Sequence, residues 1–368
     1  MMTITFFCQY LFSRDGTQSG HTSLLRQFIP QLIERGFNVE VISLGGISSF
    51  EAPCKVHILQ NSDHQLDWSF SKKSIFWIKI FFKLSFYVLK NFRKLKNSKL
   101  VSLTIGASFV LPLFFRNVYI WENVAYFKKR PLIDKLRLRM MSVLKSTIVV
   151  PTEYEFSLMK KLFPSLNVRF IRNWYSPYLV KKILNEDSAP LLFMSAGFLQ
   201  HRKGFDLLIK SINLIKSKIP SEVEFHIYGE GPEKENLLKQ IKDYALENII
   251  ILKGIRNSLE SIYPEYDVFI LPSRLEGFPL VMINSLACGL PCIAFDCPTG
   301  PGQIIETGVN GILVEDGNTK ELATAILNII NEEDISIYSK GAVDSTKDYS
   351  MTSIIDTWID MMSDANSI

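Results

Sequence analysis

Cysteine and histidine are scarce in this chain, five of each among 368 residues. The cysteines, Cys8, Cys54, Cys288, Cys292 and Cys297, are odd in number and accompany no secretory signal, which argues against a disulfide framework and for a reducing compartment. Cys288, Cys292 and Cys297 lie close together, but no histidine or acidic residue stands near them at zinc-ligand spacing, so they read as small buried hydrophobes. The histidines, His21, His57, His64, His201 and His226, fall in no recognisable Ser/His/Asp or Cys/His pairing, which removes nucleophilic catalysis of that kind. Strong charge is lacking too. A net +4 on this length gives no reason to expect nucleic acid as a partner. Long apolar runs are also missing: the N-terminal ITFFCQYLF has no basic region before it, is too short for a signal core or a membrane span, and reads as a first strand. No repeat of solenoid period and no low-complexity tract occurs. What remains is a chain with ample hydrophobic residues, comfortable for two domains of roughly 150 to 200 residues.

The most informative stretch runs from Tyr266 to Ile304. Val268 to Leu271 is a short apolar run bounded by Asp267 and Pro272, the mark of a strand covered on both faces, and Ile283, Leu286 and Ala287 then recur at helical spacing. That is a β-α-β unit of a parallel sheet. Ligands of such sheets sit at the carboxyl ends of the strands, where Ser273, Arg274, Glu276, Gly277 and Phe278 fall. Pro279 suits the start of the helix, whose first amides have no intrahelical partner and favour an anion. A carboxylate beside a helix N-terminus suits a ligand with both hydroxyls and phosphates, such as a sugar nucleotide.

Strands alternate with helices elsewhere as well, through the LLFMSAGF, EFHIYGEGP and IIILKG segments, which predicts a second sheet. The N-terminal half opens on a strand, the polar loop Ser13 to Gly20, a helix from about Thr22 to Arg35 and the strand Val39 to Ser43. The glycines of that loop, Gly16 and Gly20, with Ser19, serve a plain turn or a close approach of backbone to ligand equally well. Ser71–Lys99 is basic and amphipathic, with Lys72, Lys79, Lys83, Lys90 and Lys94 on one helical face and Phe76, Trp77, Ile80, Phe81, Leu84 and Tyr87 supplying most of the rest. Two lysines interrupt the apolar run, so it makes a poor transmembrane helix; it fits either a membrane interface or a helix with one buried and one solvated face.

The phrases DVFILPSRLEGFPLV, ACGLPCIAFD and NGILVEDGN resemble the nucleotide-sugar half of a retaining glycosyltransferase of family 4, and weaker similarity runs over nearly the whole chain. CPTGPGQII is similar to the subset that builds bacterial surface polysaccharides on lipid carriers, often from UDP-hexoses or UDP-N-acetylhexosamines. The resemblance implies a GT-B fold, in which two Rossmann-like parallel-sheet domains face a cleft and a C-terminal helix crosses back to the first. It places the acceptor-side domain at 1–180 with 350–368, the nucleotide-sugar domain at 181–349, and a hinge at Pro177 to Pro190. Lys203 then matches the diphosphate-binding lysine, and Glu276 the acid that accepts hydrogen bonds from donor-sugar hydroxyls. Relatives carry an arginine at the position of Phe198; Arg202 is the candidate substitute, since a guanidinium binds phosphate oxygens bidentately. Asn284 replaces a glutamate that holds ribose in relatives.

Gly229, Gly231 and Gly254 match loops near the nucleoside, Gly277 and Phe278 flank the acid, and Thr299 and Gly300 lie over the sugar or diphosphate. In relatives Gly16 and Gly20 face the cleft, and Glu122 and Asn123 sit near the reacting sugar on the acceptor side. Each also has a plainer reading: a solvated lysine, a carboxylate on a helix dipole, glycines in turns. No Asp-x-Asp pair is present, so the chemistry is expected to be metal-independent, with no cofactor besides the UDP-sugar substrate. The expected acceptor is a lipid-linked or growing surface glycan, the expected location the inner face of the cell membrane, reached through Ser71–Lys99. The second reading is a catalytically weakened nucleotide-sugar-binding subunit, kept open by Phe198 and Asn284.

Overall fold

The computed structural model describes residues 1–10, 20–45, 53–59, 74–116, 118–122, 132–179, 191–256, 258–332 and 335–364. The chain divides into two compact units, Met1–Asn173 with Thr352–Ile368, and Trp174–Met351. The dividing points are Asn173/Trp174 and Met351/Thr352, against 180/181 and 349/350 in the sequence reading.

In the first unit, strands β1 (Thr3–Tyr10), β2 (Asn38–Gly45), β3 (Lys55–Ile58), β4 (Ser98–Ser102), β5 (Val118–Trp121), β6 (Thr147–Val150) and β7 (Asn167–Phe170) form one sheet in the order β3-β2-β1-β4-β5-β6-β7. Every pairing is parallel. Between the strands run α1 (Gly20–Glu34), α2 (Ser74–Lys90), α3 (Phe92–Lys96), α4 (Ile105–Phe114), α5 (Leu132–Val143) and α6 (Glu153–Leu162). Successive strand residues serve opposite faces. Phe7, Ile42, Leu100 and Ile120 pack with Leu84, Val88, Val110, Leu138 and Met159 of α2, α4, α5 and α6. Phe6 instead meets Phe28 of α1, which also touches Trp121, with ring centroids 5.8 and 5.6 Å apart. A sheet buried on both faces is what near-continuous apolar strands specify.

Two details correct the sequence reading of this unit. Gly20 is the first residue of α1 and not part of the loop before it, because the helix begins two residues earlier than the apolar period suggested. Ser71–Lys99 is not one helix: α2 ends at Lys90, Asn91 caps it by donating from Nδ2 to the Tyr87 carbonyl at 2.9 Å, and Ser98 and Lys99 already belong to β4.

In the second unit, β8 (Leu192–Ala196), β9 (Glu224–Tyr228), β10 (Ile250–Gly254), β11 (Val268–Leu271), β12 (Cys292–Phe295) and β13 (Gly311–Val314) form a parallel sheet in the order β10-β9-β8-β11-β12-β13. Helices α7 (Phe205–Ile215), α8 (Lys234–Asp243), α9 (Leu280–Ala287), α10 (Thr319–Ile330) and α11 (Ser336–Ser345) complete it. Phe193, Ile227, Ile270 and Ile293 face α7, α8 and α10, while Met194, Phe269, Leu271 and Cys292 face α9 and α11. Helix α12 (Met351–Ser363) returns to the first unit, where Trp358 lies 4.8 Å from Trp121 and 5.7 Å from Phe28 between ring centroids. Arg35 reaches Asp356 at 3.3 Å. Both units are Rossmann-like, as expected.

Candidate functional site

The second sheet grows outward from β8 through β9 to β10 and then returns past β8 to lay down β11, β12 and β13. Strand order therefore reverses between β8 and β11. Loops leaving the carboxyl ends of two such strands must diverge to opposite faces, and the crevice this leaves is where open α/β sheets bind ligands. The loop after β8 holds Lys203 and the loop after β11 holds Glu276.

These two loops are fastened together. Gly204 has φ of 68°, and a Cβ placed there would lie 1.8 Å from the Pro272 carbonyl oxygen, so only glycine lets the loops touch. Arg274 binds the Asp206 carboxylate with both fork nitrogens, at 2.6 and 2.7 Å, and donates to the His201 carbonyl at 2.7 Å. Burial alone would raise the Asp206 carboxyl; the hydrogen bonds and charge of Arg274 outweigh it and hold the group below the usual carboxylate range. On the other side Gly229 packs so that a Cβ would stand 1.9 Å from the Gly197 carbonyl oxygen, and Leu199 N–H donates to the Glu230 carbonyl at 2.8 Å. Gly231 abuts the Leu199 carbonyl in the same way, and Gly229 N–H donates to Gly254 at 2.9 Å. Gly229, Gly231 and Gly254 thus brace the β8 loop from the ends of β9 and β10.

At the centre, Lys203 Nζ lies 2.6 Å from Glu276 Oε1, and Ser273 Oγ donates to the same oxygen at 2.6 Å. The carboxylate is 5% exposed and the lysine 14%. Thr299 Oγ1 donates to the Glu276 backbone carbonyl. A Cβ on Gly300 would meet Pro279 Cδ at 2.9 Å, so the loop after β12 closes over Glu276, Gly277 and Pro279. Phe278 is half-buried against Tyr349, ring centroids 5.9 Å apart, and Pro279 is the residue before the first turn of α9. The structure therefore gathers Lys203, Glu276, Gly277, Thr299 and Gly300 into one place.

Other candidates are placed differently. Arg202 is exposed, and its carbonyl accepts from Arg274 N–H at 2.9 Å; Phe198 is 40% exposed. Asn284 accepts at Oδ1 from the backbone N–H of Ser176, at 2.8 Å, and so helps to hold the chain there. Glu122, at the end of β5 in the first unit, is buried in an ion pair with Arg137 at 2.7 Å, and Arg137 also donates to Ser108 Oγ at 2.9 Å. Gly16, Ser19 and Asn123 lie outside the described residues. Ser273 as the partner of Glu276 escaped the sequence reading although the two are only three residues apart; Arg274 with Asp206, 68 residues apart, and Arg137 with Glu122, 15 apart, are linked by no local spacing. Among the described residues no two cysteines form a disulfide. Burial, with the Glu276 charge adding, pushes the Cys297 thiol up to about 12, and burial alone takes Cys292 to about the same value, so neither offers a thiolate. Among the described residues no three His, Cys, Asp or Glu side chains converge as a metal ligand set.

Residues 179–340 match the family of glycosyl transferases group 1. The match lies within the second unit, Trp174–Met351. Over the whole length, the chain is 28% identical to a glycosyltransferase of Haemophilus influenzae, across 97% of this chain and 99% of that one. It is 30% identical to the poly(ribitol-phosphate) alpha-N-acetylglucosaminyltransferase of Staphylococcus aureus, over 50% of this chain and only 39% of the relative. In three dimensions it is similar to a mutant of S. aureus TarM solved with fondaparinux, alpha-GlcNAc-glycerol and UDP, with a TM-score of 0.80 at 16% identity, covering 99% of this chain and 100% of that one. That likeness extends the GT-B fold to both units.

Proposed function

We propose that the chain is a retaining, metal-independent glycosyltransferase that moves a hexose or N-acetylhexosamine from a UDP-sugar to a lipid-linked or growing surface glycan on the cytoplasmic side of the membrane. The observation that carries this reading is the Lys203–Glu276 pair at the β8/β11 reversal, within the residues that match the group 1 family. Breaking the bond between anomeric carbon and phosphate builds negative charge on the departing diphosphate, and a preorganised cation lowers that barrier. Lys203 Nζ supplies the cation; Glu276 Oε1 and Oε2 supply acceptors for sugar hydroxyls. Without donor the two satisfy each other and Ser273 fixes the carboxylate, so the site is electrostatically set before ligand arrives. The acceptor hydroxyl enters on the face of the leaving phosphate, whose oxygen takes its proton, and orientation supplies much of the acceleration. The poly(ribitol-phosphate) alpha-N-acetylglucosaminyltransferase among the relatives and the UDP bound in the TarM structure support the donor and acceptor classes.

The second reading, a nucleotide-sugar-binding subunit with weakened catalysis, draws on Asn284, whose acceptor already serves Ser176 N–H, and on Phe198 in place of a cation. A thermal-shift screen of the purified chain against UDP-sugars, followed by donor hydrolysis and transfer assays, decides between them. A donor at one hundred times its Kd stabilises the folded state by about 2.7 kcal/mol, a shift easily read. Binding with turnover is expected. Binding without turnover selects the subunit, and no response to any UDP-sugar refutes both.

A further inference from the structure

Lys203 is carried by very little structure of its own. It ends a single 3-10 turn, His201–Lys203, none of whose residues is buried, so apolar packing does not fix the turn. Within it, Lys203 N–H donates to the Gln200 carbonyl at 2.8 Å and Gly204 N–H to the His201 carbonyl at 3.2 Å. One such turn lacks the cooperative ladder that steadies a longer helix.

What holds the turn is Arg274, from the loop after β11. Its main-chain N–H donates to the Arg202 carbonyl at 2.9 Å. Its Nη1 donates to the His201 carbonyl at 2.7 Å and to Asp206 Oδ1 at 2.6 Å, and its Nη2 to Asp206 Oδ2 at 2.7 Å. Lys203 is thus bracketed: the two carbonyls before it and the carboxylate three residues after it are held by one residue. Asp206 is itself anchored, since it stands in the first turn of α7 and its carbonyl accepts from Gln240 Nε2 of α8 at 3.0 Å. On the other side, Arg274 follows Ser273, whose Oγ donates to Glu276. The residue that fixes the lysine's turn therefore belongs to the loop that fixes the carboxylate. A planar guanidinium can meet a carboxylate with two nitrogens and a carbonyl as well; an ammonium has no such fork.

We propose that Arg274, locked on Asp206, is a positioning residue that sets the place of Lys203 Nζ against Glu276 and, resting on the function proposed above, against the departing diphosphate. Its fork is turned to Asp206 and His201, so it acts through the lysine. A preorganised cation works where the charge develops, and a misplacement of about 1 Å can cost on the order of 100-fold in rate.

One readout needs no substrate. The coupling between K203M and E276Q is measured by urea unfolding in the native chain and again in the R274K and R274A/D206N backgrounds, the second of which leaves no stranded carboxylate. In both backgrounds the coupling should fall by at least half. Turnover of a UDP-sugar is then followed. R274K and R274A/D206N should each lower kcat by about 10- to 100-fold with donor KM within about threefold of native, because the loss falls on the step in which charge develops. Undiminished coupling in both backgrounds overturns the inference, whatever the turnover. So does a native kcat in R274A/D206N, the result expected of a pair that only braces the fold. A native chain that turns over no UDP-sugar, with coupling still dependent on Arg274, refutes the proposed function and supports the positioning.

Discussion

Replacing Lys203 by Met probes the candidate site in two independent ways. Glu276 is 5% exposed and takes hydrogen bonds from Lys203 Nζ and Ser273 Oγ on the same oxygen, both at 2.6 Å. Methionine keeps the aliphatic volume of lysine but leaves the carboxylate with a neutral hydroxyl as its partner. Removing one member of a buried pair typically costs 3 to 5 kcal/mol; with Lys203 itself 14% exposed, about 2 to 4 kcal/mol is the fitting range. For a unit of this size that lowers Tm by roughly 5 to 12 °C. The double variant K203M/E276Q removes the stranded charge and should recover at least half of the lost stability, a coupling that a double-mutant cycle reads directly. Turnover behaves differently. A cation aimed at a departing diphosphate contributes about 3 kcal/mol, so K203M should transfer sugar at least about 100-fold more slowly, and E276Q must not restore it. Scanning calorimetry and a coupled assay for released UDP supply the measurements. K203M with native-like turnover, or a double variant that regains activity along with stability, would refute the assignment of Lys203 to the leaving group.

Gly204→Ala should destabilise the second unit by more than about 3 kcal/mol, because its Cβ would sit 1.8 Å from the Pro272 carbonyl oxygen. Gly317→Ala, with φ of 75° and open space around it, should cost only about 1 kcal/mol; equal urea midpoints for the two variants would show that the loop contact does not matter. His226 is a pH-sensitive element of the second unit: burial lowers its pKa below 6.5, with Lys253 also disfavouring the cation and Glu224 opposing. Its ring spans Tyr266 Oη and Glu224 Oε2, each at 2.8 Å, and Tyr266 continues to Tyr228 at 2.7 Å. A depressed folded-state pKa means that its contribution is intact above the unfolded value and is lost as pH falls below it, so Tm should drop as pH is lowered from about 7.5 to 5. His226→Gln should flatten that slope without abolishing it, since burial also lowers the pKa of His57; a Tm that rises on acidification contradicts the argument.

The sequence by itself determined what local pattern can carry. Short apolar runs such as Val268–Leu271 specify strands with two covered faces, and their alternation with helical periods specifies parallel sheets, because side chains repeat every two residues in one case and every 3.6 in the other. Glu276 at a strand end followed from the same pattern. The meeting of Lys203 with Glu276 did not. They are 73 residues apart, and Arg274 and Asp206 are 68 apart; only the order of strands in the sheet, with β11 laid beside β8, brings either pair within hydrogen-bonding distance. The same holds for Glu122, whose carboxylate the packing of α5 commits to Arg137, and for Asn284, whose acceptor serves a backbone N–H 108 residues away. In α2 the composition announced an amphipathic basic helix, but which aromatic side chains face the core is decided by where the sheet lies beneath it. Periodicity fixes the angles between side chains around a helix; only the partner surface fixes which of those angles points inward.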